Sequence, residues 1–293
     1  MPLSGEQSLT SPDGNKIWAE SAGEPSKPAL VFIHGMGCTA LGFDNQFADP
    51  DLLHDFHLIR YELRGHGRSG APVESEGYES IRYAEDFKTV CEAFGVEKPF
   101  LIGWLYFTYL RSLGGAIAVD VINAYGPTYL SGIIYCGGGA IHLEYGMSTT
   151  SAFLVGAFGT LMTESAQEMT AAASFFADSC VAPTSLPISY PLKLQMMGGF
   201  LAAPRHAKIQ NFSRKQDASA EWERRVRNVP VFVVQGREDQ HRNWEAMRAL
   251  LERLYADLEI YMLDGLGHSP HLESPAETNK AIGTWVGKVL ARE

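Results

Sequence analysis

Short apolar runs alternate with segments of helical period along most of this chain. Segments 6–10 and 15–21 flank the turn Ser11-Pro12-Asp13-Gly14 and predict a hairpin. ALVFIH at 29–34 is rich in β-formers and stops in glycines, which predicts a buried strand. HLIRYE (57–62), Pro99 to Gly103, LSGIIYC (130–136), PVFVVQ (230–235) and 258–263 read the same way. Between them, 80–94 sets Ile81, Ala84, Phe87, Val90, Cys91 and Phe94 at helical spacing ahead of Gly95. Segments 113–125, 243–255 and 276–290 also read as helices. Strands that are apolar throughout, alternating with helices, predict an α/β fold. Its central sheet is mostly parallel, with helices on both faces.

Residues 140–225 break this alternation. They look helical, with Gly and Pro interruptions. From Ile141 to Pro204 the charged residues are Glu144, Glu164, Glu168, Asp178 and Lys193. Five of the nine methionines fall there: Met147, Met162, Met169, Met196 and Met197. Any one of them suits an ordinary helical core. Together they predict an inserted helical cap over 140–225, on a core made of 1–139 and 226–293. Methionine adapts its shape and suits an apolar binding surface, so the expected partner is a small hydrophobic substrate.

Composition narrows the function classes. The 293 residues are 45% hydrophobic and 20% charged, enough for one large core with an insertion. Lys plus Arg number 24 against 34 Asp plus Glu, a net charge of -10. That balance argues against nucleic acid and anionic membrane as partners, because both select cationic surfaces. The N-terminal stretch has no apolar run or basic cluster of the secretory kind, so a cytoplasmic location is expected. Cys38, Cys91, Cys136 and Cys180 show no CxxC spacing, which suits reduced thiols better than disulfides or zinc. The sequence does not set an oligomeric state.

Four constellations follow predicted strands, at the edge where open α/β sheets bind ligands. His34-Gly35-Met36-Gly37 follows the first buried strand and could offer backbone N–H groups to an oxyanion, or simply turn the chain. Arg64-Gly65-His66-Gly67-Arg68-Ser69 reads best as a turn held by Arg and Ser hydrogen bonds. Ser112-Leu113-Gly114-Gly115 opens a helix, as a nucleophile would, though a capping serine has the same look. The fourth is a pair. Asp239, in Gly236-Arg237-Glu238-Asp239, and His268, in Gly267-His268-Ser269-Pro270-His271-Leu272-Glu273-Ser274-Pro275, each follow a strand and could meet over the sheet edge. A carboxylate so placed orients an imidazole, which takes a serine proton.

The order Ser112, Asp239, His268, with HGMG, RGHGRS, SLGG, GRED and GHSPHLE-x-P in sequence, resembles the α/β-hydrolase superfamily over nearly the whole chain. The resemblance implies that Ser112 is the nucleophile, His268 the base and Asp239 the orienting acid. The backbone N–H groups of Met36 and Leu113 would form the oxyanion hole. His271 would not be the catalytic histidine, and Glu273 and Pro275 would start the last helix. Hydrolysis of an ester, lactone or thioester is implied, with no metal or organic cofactor. The chain looks like the accessory hydrolases of small-molecule biosynthesis.

One departure stands out. The family's elbow reads Gly-x-Ser-x-Gly directly after a strand, whereas here Leu105 to Arg111 separate Gly103-Trp104 from Ser112. Without 105–111 the sequence LIGWSLGGAIAVDV is an intact elbow. Either the extra segment extends the turn and Ser112 still reaches the histidine, or the strand keeps its register and Leu105 takes the nucleophile position. A third reading is altered splicing, the working protein being the shorter chain.

Other function classes compete. A chain without a nucleophile would be a ligand-binding protein on the same fold. Gly35-x-Gly37-x-x-Ala40 with Glu62 matches a dinucleotide fingerprint but leaves the other motifs unexplained. His54 and His57 near Asp51 and Asp55 suggest a metal site less well than a pair of solvent-facing histidines. The apolar run from Phe100 to Val119 is broken by Arg111 and glycines, unlike a membrane span.

Overall fold

The computed structural model describes residues 5–104, 113–139, 141–161, 163–184, 188–216 and 220–292, with backbone alone at 113–115, 158 and 220–221. Eight strands form one sheet: β1 (Gly5–Thr10), β2 (Lys16–Gly23), β3 (Ala29–Ile33), β4 (His57–Tyr61), β5 (Phe100–Trp104), β6 (Gly132–Cys136), β7 (Val231–Gly236) and β8 (Leu258–Leu263). Their order is β1-β2-β4-β3-β5-β6-β7-β8. β1 and β2 form the expected hairpin, with Thr10 opposite Lys16. β2 also runs antiparallel to β4, and the remaining pairs, β4-β3-β5-β6-β7-β8, are all parallel. The carboxyl ends of β3 to β8 therefore share one edge.

Thirteen α-helices lie among the described residues. They are α1 (Asp44–Phe47), α2 (Pro50–Asp55), α3 (Ser80–Ala93), α4 (Leu113–Tyr125), α5 (Gly146–Thr149), α6 (Ala152–Leu161), α7 (Ala166–Ser179), α8 (Tyr190–Ala202), α9 (Arg205–Ser213), α10 (Ala220–Val226), α11 (Trp244–Leu254), α12 (Pro270–Glu273) and α13 (Pro275–Leu290). Local chemistry marks their ends. Ser165 Oγ accepts from Glu168 N to open α7, Asn243 Oδ1 accepts from Ala246 N to open α11, and Gly95, at φ 68°, follows α3.

The central strands β3, β5, β6 and β7 are almost wholly apolar because both faces are covered. On one face Val31, Ile33, Ile59, Leu101, Ile133 and Val233 pack with residues of α3, α4, α10 and α11. On the other, Leu30, Phe32, Leu58, Ile102, Ile134 and Val234 pack with α13 and with Phe43 and Leu52. Burying each such side chain stabilises the fold by about 1.5–3 kcal/mol, so Phe32→Ala would damage the centre of the sheet. The second layer continues into the insertion through Leu154, Phe176, Met196 and Phe200. Trp222 and Val226 of α10 instead join the first layer.

The two ends of the apolar run from Phe100 to Val119 lie in β5 and in α4. No helix of the described residues is long and apolar enough to cross a membrane.

Candidate active site

Two loops at the carboxyl edge bring Asp239 and His268 together. Asp239 follows β7 and His268 follows β8, and the adjacent pairing of these strands sets the loops side by side. The contact is tight: a Cβ on Gly236 would lie 2.1 Å from the Gly267 carbonyl oxygen, so only glycine fits. Both side chains are buried, and His268 Nδ1 donates to Asp239 Oδ2 at 2.8 Å. A proton on Nδ1 leaves Nε2 as the basic nitrogen. Burial alone would raise the Asp239 carboxyl. The charge and hydrogen bond of His268, with help from His241 and Gln235, overcome that and hold it well below the usual carboxylate range.

Three residues that the sequence reading did not assign to this pair support it. Gln235, the last but one residue of β7, donates from Nε2 to Asp239 Oδ2 (2.8 Å) and accepts at Oε1 from Gly138 N (2.8 Å). The backbone N–H of His241 donates to Asp239 Oδ1 at 2.7 Å. The His241 ring lies 4.3 Å from that of His268, and its Nε2 is 3.0 Å from Ser179 Oγ on α7. Because Ser179 Oγ donates to the Phe176 carbonyl, His241 is the donor in that pair. Burial first, then the His268 and Arg242 charges, push the His241 imidazole far down, so it is neutral.

Glu273 proves to be more than a helix start. Its carboxylate accepts from Gly267 N (2.9 Å), Ser269 N (3.2 Å) and, across to the insertion, Ala182 N (2.8 Å). It therefore ties both sides of His268 to the segment after α7.

The HGMG loop is braced by two neutral histidines. His34 Nδ1 donates to the Gly35 carbonyl (2.7 Å) and Nε2 accepts from Leu63 N (3.0 Å). His66 Nε2 accepts from Gly37 N at 3.1 Å. Burial pushes His34 down to about 4 and His66 to about 3, so both keep the acceptor nitrogen these bonds need. Gly37, at φ 74°, has no room for a side chain: a Cβ would meet Phe200 at 3.1 Å and Phe176 at 3.2 Å. Helices α7 and α8 thus rest directly on this loop.

Several expectations are now located. Met36 is buried in the turn after β3. Leu113 is the first residue of α4. Ser112 and the segment 105–111 lie outside the described residues. β5 stays paired with β6 through Gly103–Tyr135 and Trp104–Cys136, immediately before that segment. His271 is fully buried against Trp104 (4.6 Å) and Phe43 (5.3 Å). Glu62 binds Arg68 through its carboxylate. Arg64 is buried between Asp86 (2.7 Å) and Asp13 (2.8 Å), and Ser69 Oγ accepts from Trp18 N. This loop is held as its Arg and Ser residues suggested.

One expectation fails. His54 is exposed beside Asp55, but His57 does not face solvent. It is buried on β4, 6.4 Å from the Phe94 ring, because both faces of that strand are covered. Among the described residues, the His and acidic atoms close enough to share a metal ion are those of Asp239, His241 and His268, all within 4.8 Å. The 2.8 Å hydrogen bond already commits one atom each from Asp239 and His268 to the other.

Comparison with known proteins agrees with the architecture. Residues 30–281 match the family described as "Alpha/beta hydrolase family". The structure is similar to an esterase, RhEst1, from Rhodococcus sp. ECU1013, with a TM-score of 0.83, 24% identity and 97% and 99% of the two chains covered. At that identity the likeness speaks for the fold. In sequence, the chain is 34% identical to a non-heme chloroperoxidase of Streptomyces lividans over 95 residues, 32% of this chain and 33% of that protein. It is 29% identical to epoxide hydrolase 4 of Mus musculus over 83 residues, 28% and 23% of the two. The chain spans well under half the length of these curated relatives, and 17% of another. With the family match covering most of its length, the chain belongs to the alpha/beta hydrolase family.

Proposed function

We propose that this chain is a serine hydrolase cleaving an ester, lactone or thioester of a hydrophobic small molecule in small-molecule biosynthesis. The observation that carries the reading is the buried His268–Asp239 pair, 2.8 Å apart at the sheet edge. In this reading Ser112 Oγ attacks the substrate carbonyl carbon and its proton passes to His268 Nε2. The N–H groups of Met36 and Leu113 hold the oxyanion. Collapse breaks the acyl bond, and the leaving alcohol or thiol takes the proton from His268. Water then attacks the acyl-enzyme by the reverse relay and releases the acid. Asp239 keeps the imidazole in the Nδ1–H tautomer throughout. Residues 140–225 act as the cap that shields the site from water.

Support for Ser112 comes from α4, whose first residue is Leu113. In a nucleophile elbow the serine directly precedes such a helix, beside the N–H groups of its first turn. A second reading has its own support. The register of β5 holds through Trp104, so the residue directly after the strand is Leu105, which carries no nucleophile. The chain would then bind a ligand without turning it over.

One experiment separates them: p-nitrophenyl butyrate hydrolysis and fluorophosphonate labelling of this chain, its Ser112→Ala variant, and the chain lacking 105–111. Labelling and turnover that Ser112→Ala lowers by about a thousandfold or more support the enzyme. Activity confined to the shorter chain assigns the chemistry to that form. Absence of labelling from both leaves the ligand-binding reading.

A further inference from the structure

Among the described residues, Lys208 is a cation with no counter-charge, reached from the HGMG loop through Phe200. It lies on α9, a helix fixed to the core from below. Tyr83 donates to Asn211 Oδ1, Asn211 Nδ2 donates to the Ala207 carbonyl, and Ala207 packs so closely on Gly65 that a Cβ there would come within 2.6 Å. From this fixed position Lys208 Nζ reaches to 4.1 Å from the Phe200 ring centroid. Phe200 packs at a tilt against Phe176, ring centroids 4.8 Å apart, and both rings cover Gly37 of the HGMG loop. The Lys208 charge also acts on His66, the residue that accepts from Gly37 N.

Among the described residues no carboxylate lies within ion-pair distance of Lys208. The nearby acids of the insertion are spent elsewhere, Asp178 on Lys193 and Glu164 on Arg205. Burial pushes the Lys208 amine down to about 8, so near pH 7 it remains mostly an ammonium, poorly hydrated and held over an aromatic face. A chain of net charge -10 has little need of one more isolated cation for solubility. A half-buried ammonium held over an aromatic ring is instead suited to an anion that arrives with an apolar body.

We propose that Lys208 reads a carboxylate on the acyl side of the substrate, so that the preferred ester is amphiphilic, with an apolar chain ending in a monoanion. The acyl side is favoured because Phe200, which Lys208 caps, lies on Gly37 of the loop assigned to the carbonyl oxygen. A monoanion is favoured because one ammonium supplies one charge. This rests on the hydrolase reading above and narrows its substrate class.

The test compares p-nitrophenyl butyrate with mono-p-nitrophenyl glutarate, taking the ratio of kcat/KM for the acidic over the neutral ester. Lys208→Met is expected to lower that ratio about tenfold or more, through KM for the acidic ester. Lys208→Arg should restore most of it. Lys288→Met, which removes an exposed charge paired with Glu259 far along α13, should leave the ratio at the wild-type value. A Lys208→Met variant that slows both esters equally would make Lys208 a packing residue and overturn the proposal. So would an unchanged ratio. If neither ester is turned over and no fluorophosphonate label is taken up, the hydrolase reading fails by itself. Calorimetric titration with glutarate then decides: binding lost in Lys208→Met retains the carboxylate site, and no binding by the wild type removes it.

Discussion

Lowering the pH from 7.5 to 5.0 is expected to remove about 6 kcal/mol of stability through three histidines alone. His34, His66 and His271 are fully buried, and burial pushes their imidazoles down to about 4, 3 and 3. In the unfolded chain each protonates near 6.5, so between that value and the folded ones the unfolded state binds more protons. The stability from keeping them neutral is therefore complete above pH 6.5 and is lost as pH falls towards the folded values. At pH 5.0 the loss is about 1.5 units times 1.36 kcal/mol, or about 2 kcal/mol for each histidine. A domain of ordinary stability has only about 5–15 kcal/mol to lose. Glu273 works in the opposite direction, since burial raises its carboxyl despite three backbone donors.

His271 isolates one share of the effect. Its ring packs on Trp104 and Phe43, and neither ring nitrogen has a hydrogen-bond partner among the described residues. His271→Phe keeps an aromatic ring there and removes the titration. Urea unfolding followed by tryptophan fluorescence at the two pH values should show a loss about 2 kcal/mol smaller in the variant than in the wild type. Equal losses in the two proteins, or a wild type indifferent to pH 5.0, would refute the reasoning.

Two further substitutions probe the supports of the acid–base pair. Gln235→Leu removes a donor from Asp239 and leaves the buried Gly138 N–H without its acceptor. Turnover of p-nitrophenyl butyrate should fall about 10–100-fold, chiefly in kcat, with KM little changed. Glu273→Ala takes the shared acceptor from Gly267, Ser269 and Ala182, and should cost about 1–3 kcal/mol in urea unfolding while lowering activity. A variant as stable as wild type would mean that water replaces the carboxylate.

Much of this was legible in the sequence because the strands are buried on both faces. ALVFI has no polar position to confuse its period, and glycines mark where it ends. The meeting of Asp239 and His268 was legible from chain order, since adjacent strands that end at one edge bring their following loops together. His57 was misjudged because its neighbours Asp51, His54 and Asp55 are polar. The pairing of β4 between β2 and β3, which buries it, is a long-range fact that no local window contains. His241 was invisible for a related reason. Its contact with Ser179 spans 62 positions, and a lone histidine two residues past an aspartate carries no spacing signal. Gln235 was seen only as the polar end of an apolar strand.

The two halves of the site are secured by unlike means, and both means involve the insertion. On the acid–base side, Glu273 fastens the His268 loop to Ala182, and His241 reaches Ser179 on α7. On the HGMG side, Phe176 and Phe200 lie on Gly37 while His66 holds its N–H from beneath. Helix α7 takes part in both, through Phe176 and, three residues on, Ser179, a spacing that puts neighbouring side chains on one helix face. A displacement of α7 would therefore be felt by the base and by the glycine loop together. That coupling gives the Ser179 hydroxyl and the Ala182 backbone N–H a role in a segment otherwise short of charge. Their bonds fix the register of an apolar element that packing alone would leave free to slide.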